Sequence, residues 1–423
     1  MNAVTAGVEH SLSALLGAGA MNAAAPDSPK GLIARYAREI DQEMIDFRRD
    51  LHRHPEASNA EFRTTRRVAE RLERAGLMPV VGAAGTGLVC DIPGADPLAP
   101  VLALRGDLDA LPVDDEKDVP YRSSVPRMCH ACGHDVHTTV LLGAGLVLAR
   151  LAAVQALPGP VRLLFQPAEE KIAGARAMIE DGSVKGVARV LALHCDPKID
   201  VGRVGLRVGA LTSACDLVKL TVRAVPGEVT GAEPPNVVDA VSALVSDVPA
   251  AVSRQLPAGS GASVVWGHVE ATSGRRGGAK QRTGTGYLQC TVRCIDERAW
   301  DLAEPLFRKA VSSVCALHGV VPELEYTRGV PPVVNEATSI EVLRLATEEV
   351  LGATGVATTE QSLGGEDFAW FLREEGVRGA MARLGVRVPG TTRVLDLHQG
   401  SFDVDERALG VATRVLAMAA LTG

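Results

Sequence analysis

The residues with the clearest chemical potential lie in one short stretch, residues 128–137. Two cysteines, three histidines and one aspartate occur there within ten residues, and Gly133 between Cys132 and His134 permits a tight bend. A thiolate and an imidazole together suit zinc, and also manganese, cobalt or nickel once carboxylates join them. A long apolar run follows, so we predict a loop that carries metal ligands into the start of a buried helix, with Asp135 as its N-cap.

Other uses of this stretch have to be weighed against metal binding. The spacing of Cys129 and Cys132 also occurs in redox pairs and in halves of zinc ribbons. A ribbon needs a second pair with that spacing, which the chain lacks, and the region does not resemble a small thioredoxin-like unit. A single histidine could be an ordinary core residue, but so many donor side chains close together favour a metal site.

The composition narrows the class of protein. A chain of 423 residues is too long for one compact core, so we expect two domains, and 46% hydrophobic with 22% charged residues is typical of soluble globular proteins. The net charge of -7 and the 3% aromatic content argue against a nucleic-acid partner. No uninterrupted apolar run has the length of a membrane span, so we expect no membrane partner. Eight cysteines do not make a disulfide scaffold in this length, which favours a reducing, cytoplasmic location.

The remaining candidate ligands follow predicted strands. Apolar strands at 100–105, 161–165, 187–193 and 394–397 alternate with helices, which predicts a largely parallel sheet covered on both faces. Ligands collect at the carboxyl ends of such strands. We therefore expect the polar residues that follow the four strands to meet the Cys132 loop: these are Asp107, Asp109, Glu169, Glu170, His194 and His398.

The middle of the chain has a different pattern. Strands with alternating apolar residues and two amphipathic helices occur there in the order βαββαβ, which predicts an inserted α+β, ferredoxin-like lid or dimerisation domain. The fold class is thus α/β, with a catalytic domain built on a mixed, mostly parallel sheet. We predict a flexible extension at 1–30, a first catalytic part at 31–214, the lid at 215–328 and a second catalytic part at 329–423.

Motifs in order from about residue 40 to the C-terminus resemble those of the M20 metallopeptidase family. The branch they resemble contains the aminoacylase, hippurate hydrolase and indole-3-acetyl-amino-acid hydrolase amidohydrolases. The motifs are DFRRDLHRHPE at 46–56, RGDLDALP at 105–112, HACGHD at 130–135, FQPAEE at 165–170 and GEDF at 365–368.

This resemblance implies a metal-dependent hydrolase that cleaves the amide bond of an N-acylated amino acid or a related small amide. It implies two divalent ions per chain, of zinc, manganese, cobalt or nickel. Glu169 would be the general base that takes a proton from the attacking water, and Asp109 a supporting carboxylate. The implied metal ligands are Cys132, His134, Glu170, His194 and His398.

The lid departs from the family pattern. The family's Gly-Gly-His-Gly-Ala-x-Pro-His segment is replaced by residues 226–235, which place Thr230 where the first histidine is expected. Loss of such an oxyanion-stabilising donor typically costs about 10²–10³ in rate. The family's Asn-Val-Ile-Pro segment is replaced by residues 280–283, so Lys280 or Arg282 is a candidate for the missing positive group. Glu366 is a candidate for contacting substrate or for bracing His398.

Three functions are compatible with an intact metal site and a rewritten lid. The first is hydrolysis of an unusual small-molecule amide. The second is a different biosynthetic step at the same site, such as amide formation, and the third is non-catalytic binding of a small molecule. Retention of Glu169 argues against the third, because a binding protein needs no general base. An exposed edge of the lid sheet would allow a homodimer.

Overall fold

The computed structural model describes residues 28–224, 235–275, 282–392 and 395–422. Within these ranges the helices are α1 (Pro29–Arg53), α2 (Phe62–Arg74), α3 (His134–Ala153), α4 (Gly174–Glu180), α5 (Val237–Gln255), α6 (Glu297–Leu317), α7 (Ala337–Leu351) and α8 (Arg407–Thr422), with 3₁₀ helices at Ala353–Gly355 and Asp367–Arg373. The strands are β1 (Val80–Val81), β2 (Leu88–Ile92), β3 (Val101–Asp107), β4 (Val161–Gln166), β5 (Val187–Asp200), β6 (Val204–Leu206), β7 (Gly209–Ala210), β8 (Cys215–Ala224), β9 (Ser263–Arg275), β10 (Arg282–Arg293), β11 (Val320–Val330), β12 (Val334–Asn335), β13 (Val356–Thr358) and β14 (Arg378–Arg387).

An eight-stranded sheet organises the larger part of the fold, in the order β1-β2-β4-β3-β5-β14-β6-β13. The pairs β3–β4, β3–β5, β5–β14 and β6–β13 are parallel, whereas β1–β2, β2–β4 and β14–β6 are antiparallel. Successive residues of β3 pack on opposite faces of the sheet, with Leu104 in one apolar cluster and Ala103 in another. The predicted mixed, mostly parallel sheet, covered on both faces, is confirmed.

Helix α3 lies at the centre of the larger core, where it packs against α1 and α8. Of the helices in the described ranges, it alone is long and apolar enough to cross a membrane, and 78% of its apolar window is buried inside the protein. Burial on nearly all sides explains why this helix is apolar around its whole circumference.

The four-stranded sheet is the second architectural unit. Its strands pair antiparallel in the order β11-β8-β10-β9, and α5 and α6 pack on one face over a separate apolar core. Trp300 is buried in that core and donates its indole N–H to Asp216, at 2.9 Å from Oδ1. The predicted βαββαβ order and ferredoxin-like class are confirmed, while the domain boundaries remain a prediction.

Several local predictions are wrong. The structure describes residues 395–397 of the predicted strand at 394–397, and these residues are irregular or in a turn. His194 lies inside β5 rather than after its end, because the strand continues to Asp200. Asp135 lies within the first turn of α3, and Gly133 is the N-cap. Helix α1 begins at Pro29, where Ser28 caps it by accepting from the Gly31 N–H, while the bounds of the N-terminal extension remain a prediction.

Candidate metal centre

The loop before α3 presents the first two predicted ligands. Gly133 has φ +84°, and a Cβ there would lie 2.8 Å from the sulfur of Cys195, so only glycine fits this position. The bend places Cys132 just before the helix and His134 as its first residue, and both side chains are buried.

The turn after β4 presents Glu169 and Glu170. Asp109 holds this turn, because its carboxylate accepts from the backbone N–H groups of Glu169 at 3.2 Å and Glu170 at 3.0 Å. Ala168 and Ile172 on either side have φ of 51° and 59°, in the left-handed region that side chains disfavour. Backbone strain of this kind occurs at functional sites, where the surrounding structure maintains it.

His194 and His398 approach Cys132 from two other parts of the chain. His194 donates from Nδ1 to the carbonyl of Cys195 at 2.9 Å, and its Nε2 contacts the Cys132 sulfur at 3.6 Å. His398 has φ 64°, and its backbone N–H donates to Ala131 at 2.8 Å. Its Nε2 lies 3.3 Å from the Cys132 sulfur and 3.7 Å from Oε1 of Glu170.

The five predicted ligands therefore converge, and they form two groups that share one sulfur. Cys132, His134 and His194 make one group, and Cys132, Glu170 and His398 the other; within each group the donor atoms lie within 4.8 Å of one another. Ligand bonds of about 2.0–2.3 Å put neighbouring donors of a tetrahedral ion roughly 3.3–3.8 Å apart. The separations around Cys132 match that spacing.

Two buried atoms in this site have no hydrogen-bond partner. They are Nε2 of His134 and Oε1 of Glu170, which lie 3.8 Å apart. Buried polar atoms without a partner are costly, and a cation between such atoms would satisfy both. The donor types, their spacing and these two orphaned atoms fit a pair of divalent cations.

The electrostatics of the site also favour cations. Burial raises the pKa of the Cys132 thiol, so a thiolate there requires a nearby positive charge. Burial opposes a charge on His134, yet Asp107 and Cys132 raise its pKa well above the usual value. Burial, and then the charges of Glu366 and Asp367, raise the pKa of Glu169 well above its usual value.

Carboxylates behind the ligands fix their orientation. Asp109 Oδ1 accepts from Nδ1 of His134 at 3.2 Å, which directs the other ring nitrogen of His134 toward the site. His137 has both ring nitrogens occupied, because Nδ1 donates to Asp107 at 2.6 Å and Nε2 accepts from the Cys195 N–H at 2.8 Å. His137 therefore positions neighbouring groups and has no free nitrogen for a metal.

A buried arginine that the sequence analysis did not identify connects several elements of the site. Arg105 donates to Gln166 at 2.8 Å, to Asp107 at 2.5 Å and to Glu366 at 2.9 Å. The hydrogen bonds of Glu366 go to Arg105 and to the Phe368 N–H, and not to His398. Bracing of His398 is therefore not its role, although Glu366 does line the cavity over the ligands.

A second buried polar cluster lies beside the loop that carries Cys132 and His134. Asp135 pairs with Arg48 and with His52, each at 2.7 Å, and His52 also contacts Asp115 at 3.2 Å. Although burial opposes its charge, these carboxylates raise the pKa of His52 to about 10. Lys117 lies 2.8 Å from Asp115, so positive side chains already neutralise this cluster, and it carries no argument for another metal ion.

A cavity of about 330 Å³ lies over the predicted ligands, with Cys132, Glu169 and His398 in its wall. Arg383 on β14 also lines it and was not identified from the sequence, because an arginine inside an apolar strand gives no functional signal by itself. Thr230 and Lys280 lie outside the described residues. Arg282 is the first residue of β10, and its backbone pairs with Arg275.

Comparison with known proteins identifies the family and the fold. The model of peptidase family M20/M25/M40 matches residues 103–422. The chain belongs to this family. The M20 resemblance of the sequence motifs is thereby confirmed, and the chain is a metallo-hydrolase of the M20 type that acts on amide bonds.

Individual M20 relatives add detail. A Rhodococcus jostii (strain RHA1) protein, provisionally named glutamate–cysteine ligase 2-3, is 42% identical over 386 residues; these cover 89% of this chain and 46% of that protein, so the chain spans about half of its length. An N-acetylcysteine deacetylase of Bacillus subtilis (strain 168) is 32% identical over 88% of this chain and 95% of its own. A solved Bacillus subtilis structure, described as a dinuclear metal binding peptidase from the M20 family, has a TM-score of 0.77 and 30% identity, covering 91% of this chain and 98% of that one.

Proposed function

We propose that this protein is a dinuclear metal-dependent amidohydrolase that cleaves an N-acylated amino acid, with Glu169 as the general base. The observation that carries the proposal is the pair of donor groups that share the Cys132 sulfur, with the carboxylate of Glu169 beside them. Oε2 of Glu169 lies 3.9 Å from Nε2 of His134. The metal ligands proposed are Cys132, His134, Glu170, His194 and His398.

Each residue has a definable part in this chemistry. Divalent cations at these donors would polarise an amide carbonyl and acidify water. Glu169 is buried beside the donors, so its carboxylate can accept a proton from the attacking water and pass it to the departing amine. Its raised pKa suits the first of these roles, because a carboxylate with a raised pKa is a stronger base toward the proton of the attacking water.

The relatives provide the first substrate to test. The N-acetylcysteine deacetylase of Bacillus subtilis matches nearly the whole of this chain, and the Rhodococcus jostii relative is named for a reaction of cysteine. We therefore place an N-acylated cysteine first among the N-acyl amino acids. A substrate of that size is compatible with a cavity of about 330 Å³.

The test compares two adjacent glutamates. Purified protein is analysed for zinc, manganese, cobalt and nickel, and a panel that includes N-acetyl-L-cysteine is assayed for amine release. Glu169→Gln should retain both metal ions and lose about 10²–10⁴ in kcat, since general acid–base catalysis contributes that much. Glu170→Gln should lose metal, because it removes a charged ligand.

Three results would contradict the proposal. Full activity in Glu169→Gln would exclude this residue as the base. Wild-type protein that holds two metal ions, cleaves no amide in the panel and still binds a small molecule tightly would favour the non-catalytic function. Formation of an amide from its acid and amine components would instead favour a biosynthetic step.

We also propose a homodimer through the lid and a cytoplasmic location. Strand β9 is an edge of the lid sheet, and Val265 and Val269 on it are about half exposed, at 54% and 45%. Exposed apolar edge strands pair readily with another copy. None of the eight cysteines, all within the described residues, forms a disulfide, which favours a reducing compartment. Light scattering of wild type and Val269→Lys tests the dimer.

A further inference from the structure

Arg48, Arg105 and Arg383 are buried in the larger domain. The first two lie among carboxylates, whereas Arg383 lies beside the cavity. Arg48 pairs with Asp135 at 2.7 Å, and with Asp403 and Glu406 at 3.4 Å. Arg105 likewise has three carboxylate partners. A buried guanidinium needs such partners to offset the loss of its hydration.

Arg383 lacks a carboxylate partner, although it is only 8% exposed. Its hydrogen bond in the described structure goes to the hydroxyl of Ser362, at 3.4 Å from Nη2. Among the described residues, no carboxylate oxygen lies within 4.0 Å of its guanidinium. Its remaining N–H groups therefore have donor capacity to spare.

Arg383 lies beside one of the proposed metal ligands, His194. Its Cα pairs with that of His194 across the parallel strands β14 and β5, so both side chains project from the same face of the sheet. Both residues line the 330 Å³ cavity, as do Cys132 and His398. An anionic group held by Arg383 would therefore share the cavity with an amide held at the proposed metal ligands.

The rest of the cavity wall is unfavourable to an anion. Glu169, Glu170 and Glu366 contribute carboxylates, and Glu366 is already held by Arg105. Small groups also line the cavity, Thr212 and Ser362 among them, and Ser362 is the hydrogen-bond partner of Arg383. A planar guanidinium with free N–H groups matches a carboxylate in a two-point contact.

We propose that Arg383 binds a carboxylate group of the amide substrate and thereby determines which amides this enzyme accepts. This inference rests on the proposed amidohydrolase function and adds to it the residue that recognises a carboxylate within reach of the scissile bond. The carboxylate belongs either to the amino acid part or to the acyl part of the substrate, and the experiment separates these two sources.

The experiment measures binding first, so that it does not depend on turnover. Metal-loaded Glu169→Gln protein is titrated calorimetrically with N-acetyl-L-cysteine, with N-succinyl-L-cysteinamide and with the neutral N-acetyl-L-cysteinamide. One of the two acids should bind roughly 30-fold or more tightly than the neutral amide, and Arg383→Met should abolish that difference. Whichever acid retains the advantage identifies the source of the carboxylate.

Controls separate recognition from folding. Arg383→Lys should restore part of the preference, because it keeps the charge without the planar contact. Arg387→Met is the matched control, since Arg387 lies on the same strand and pairs at the surface with Asp200 at 2.6 Å. It should leave the preference unchanged.

Two outcomes would overturn the proposal. The first is equal affinity of the Glu169→Gln protein for both acids and the neutral amide. This measurement does not use Arg383→Met, so it contradicts the proposal even if that variant fails to fold. An equal loss of affinity for charged and neutral ligands in Arg383→Met would show a structural role. A wild-type enzyme that cleaves no amide, yet shows the carboxylate preference, would contradict the proposed function and leave the role of Arg383 intact.

Discussion

Replacing Asp109 with asparagine tests whether this carboxylate orients the metal-binding side chains. Four groups donate to it: the Ser58 hydroxyl at 2.7 Å, Nδ1 of His134 at 3.2 Å, and the backbone N–H groups of Glu169 and Glu170 at 3.2 and 3.0 Å. Asparagine has the same size but only one acceptor oxygen. Its amide nitrogen must therefore face donors that previously had an acceptor.

The arrangement of the four donors defines the least costly orientation of the new side chain. Oδ1 serves His134 and Glu169, whereas Oδ2 serves Ser58 and Glu170. The hydroxyl of Ser58 can turn and accept, so the amide nitrogen would take the Oδ2 position and leave the Glu170 N–H without a partner. Such a loss costs about 1–3 kcal/mol.

The neutral side chain also supports His134 less well. A carboxylate behind a ligating histidine raises its basicity, and substitution of such a partner typically costs 10–100-fold in metal affinity or activity. We expect Asp109→Asn to fall in this range, measured by competition with a chelator for metal and by kcat/KM for amide cleavage. Ser58→Ala is the control, because it removes one neutral donor and keeps the carboxylate, at about 0.5–1.5 kcal/mol of stability. Wild-type metal affinity and turnover in Asp109→Asn would refute a positioning role for this residue.

Two further predictions concern stability. Chelation of divalent ions should lower the Tm, because His134 Nε2 and Glu170 Oε1 are buried without other partners, and added Zn²⁺ or Mn²⁺ should restore it; an unchanged Tm in calorimetry would argue against bound cations. His52 has a folded pKa of about 10, above its ordinary 6.5, so its stabilisation is complete below about pH 6.5 and disappears as the pH rises through 10. In urea titrations, the free energy of unfolding of wild type should therefore exceed that of His52→Asn by the largest amount at pH 6, by at most about 5 kcal/mol. This difference should shrink as the pH rises toward 10. Parallel pH profiles of the two proteins would exclude a charged His52.

Much of the fold was predictable because its signals are local. The apolar strands β3, β4 and β5 are continuous in sequence, and the alternating pattern of the lid strands repeats every second residue. The ligand loop was predictable for a similar reason, since its cysteine, glycine and histidine are adjacent. Strand β14 was missed because Arg383 and two glycines, Gly379 and Gly385, interrupt its apolar run.

Features that depend on distant partners could not be predicted from local patterns. Asp135 has the sequence position of an N-cap, but its carboxylate instead neutralises Arg48, which lies on a different helix. The partners of Arg105 come from β4 and from the segment that begins the 3₁₀ helix at Asp367–Arg373. His398 has a positive φ. The apolar residues Leu395 and Leu397 beside it give no local indication of such a turn. The lid candidates Thr230 and Lys280 remain predictions.

The order of the ligands along the chain has a consequence for biosynthesis. Cys132, Glu170 and His194 precede the lid segment, whereas His398 follows it, close to the C-terminus. The lid segment and β14 must therefore be synthesised before the imidazole of His398 can reach the other side chains. The proposed set of five metal ligands is therefore incomplete until the lid has been synthesised, and we expect binding of both metal ions to follow that step.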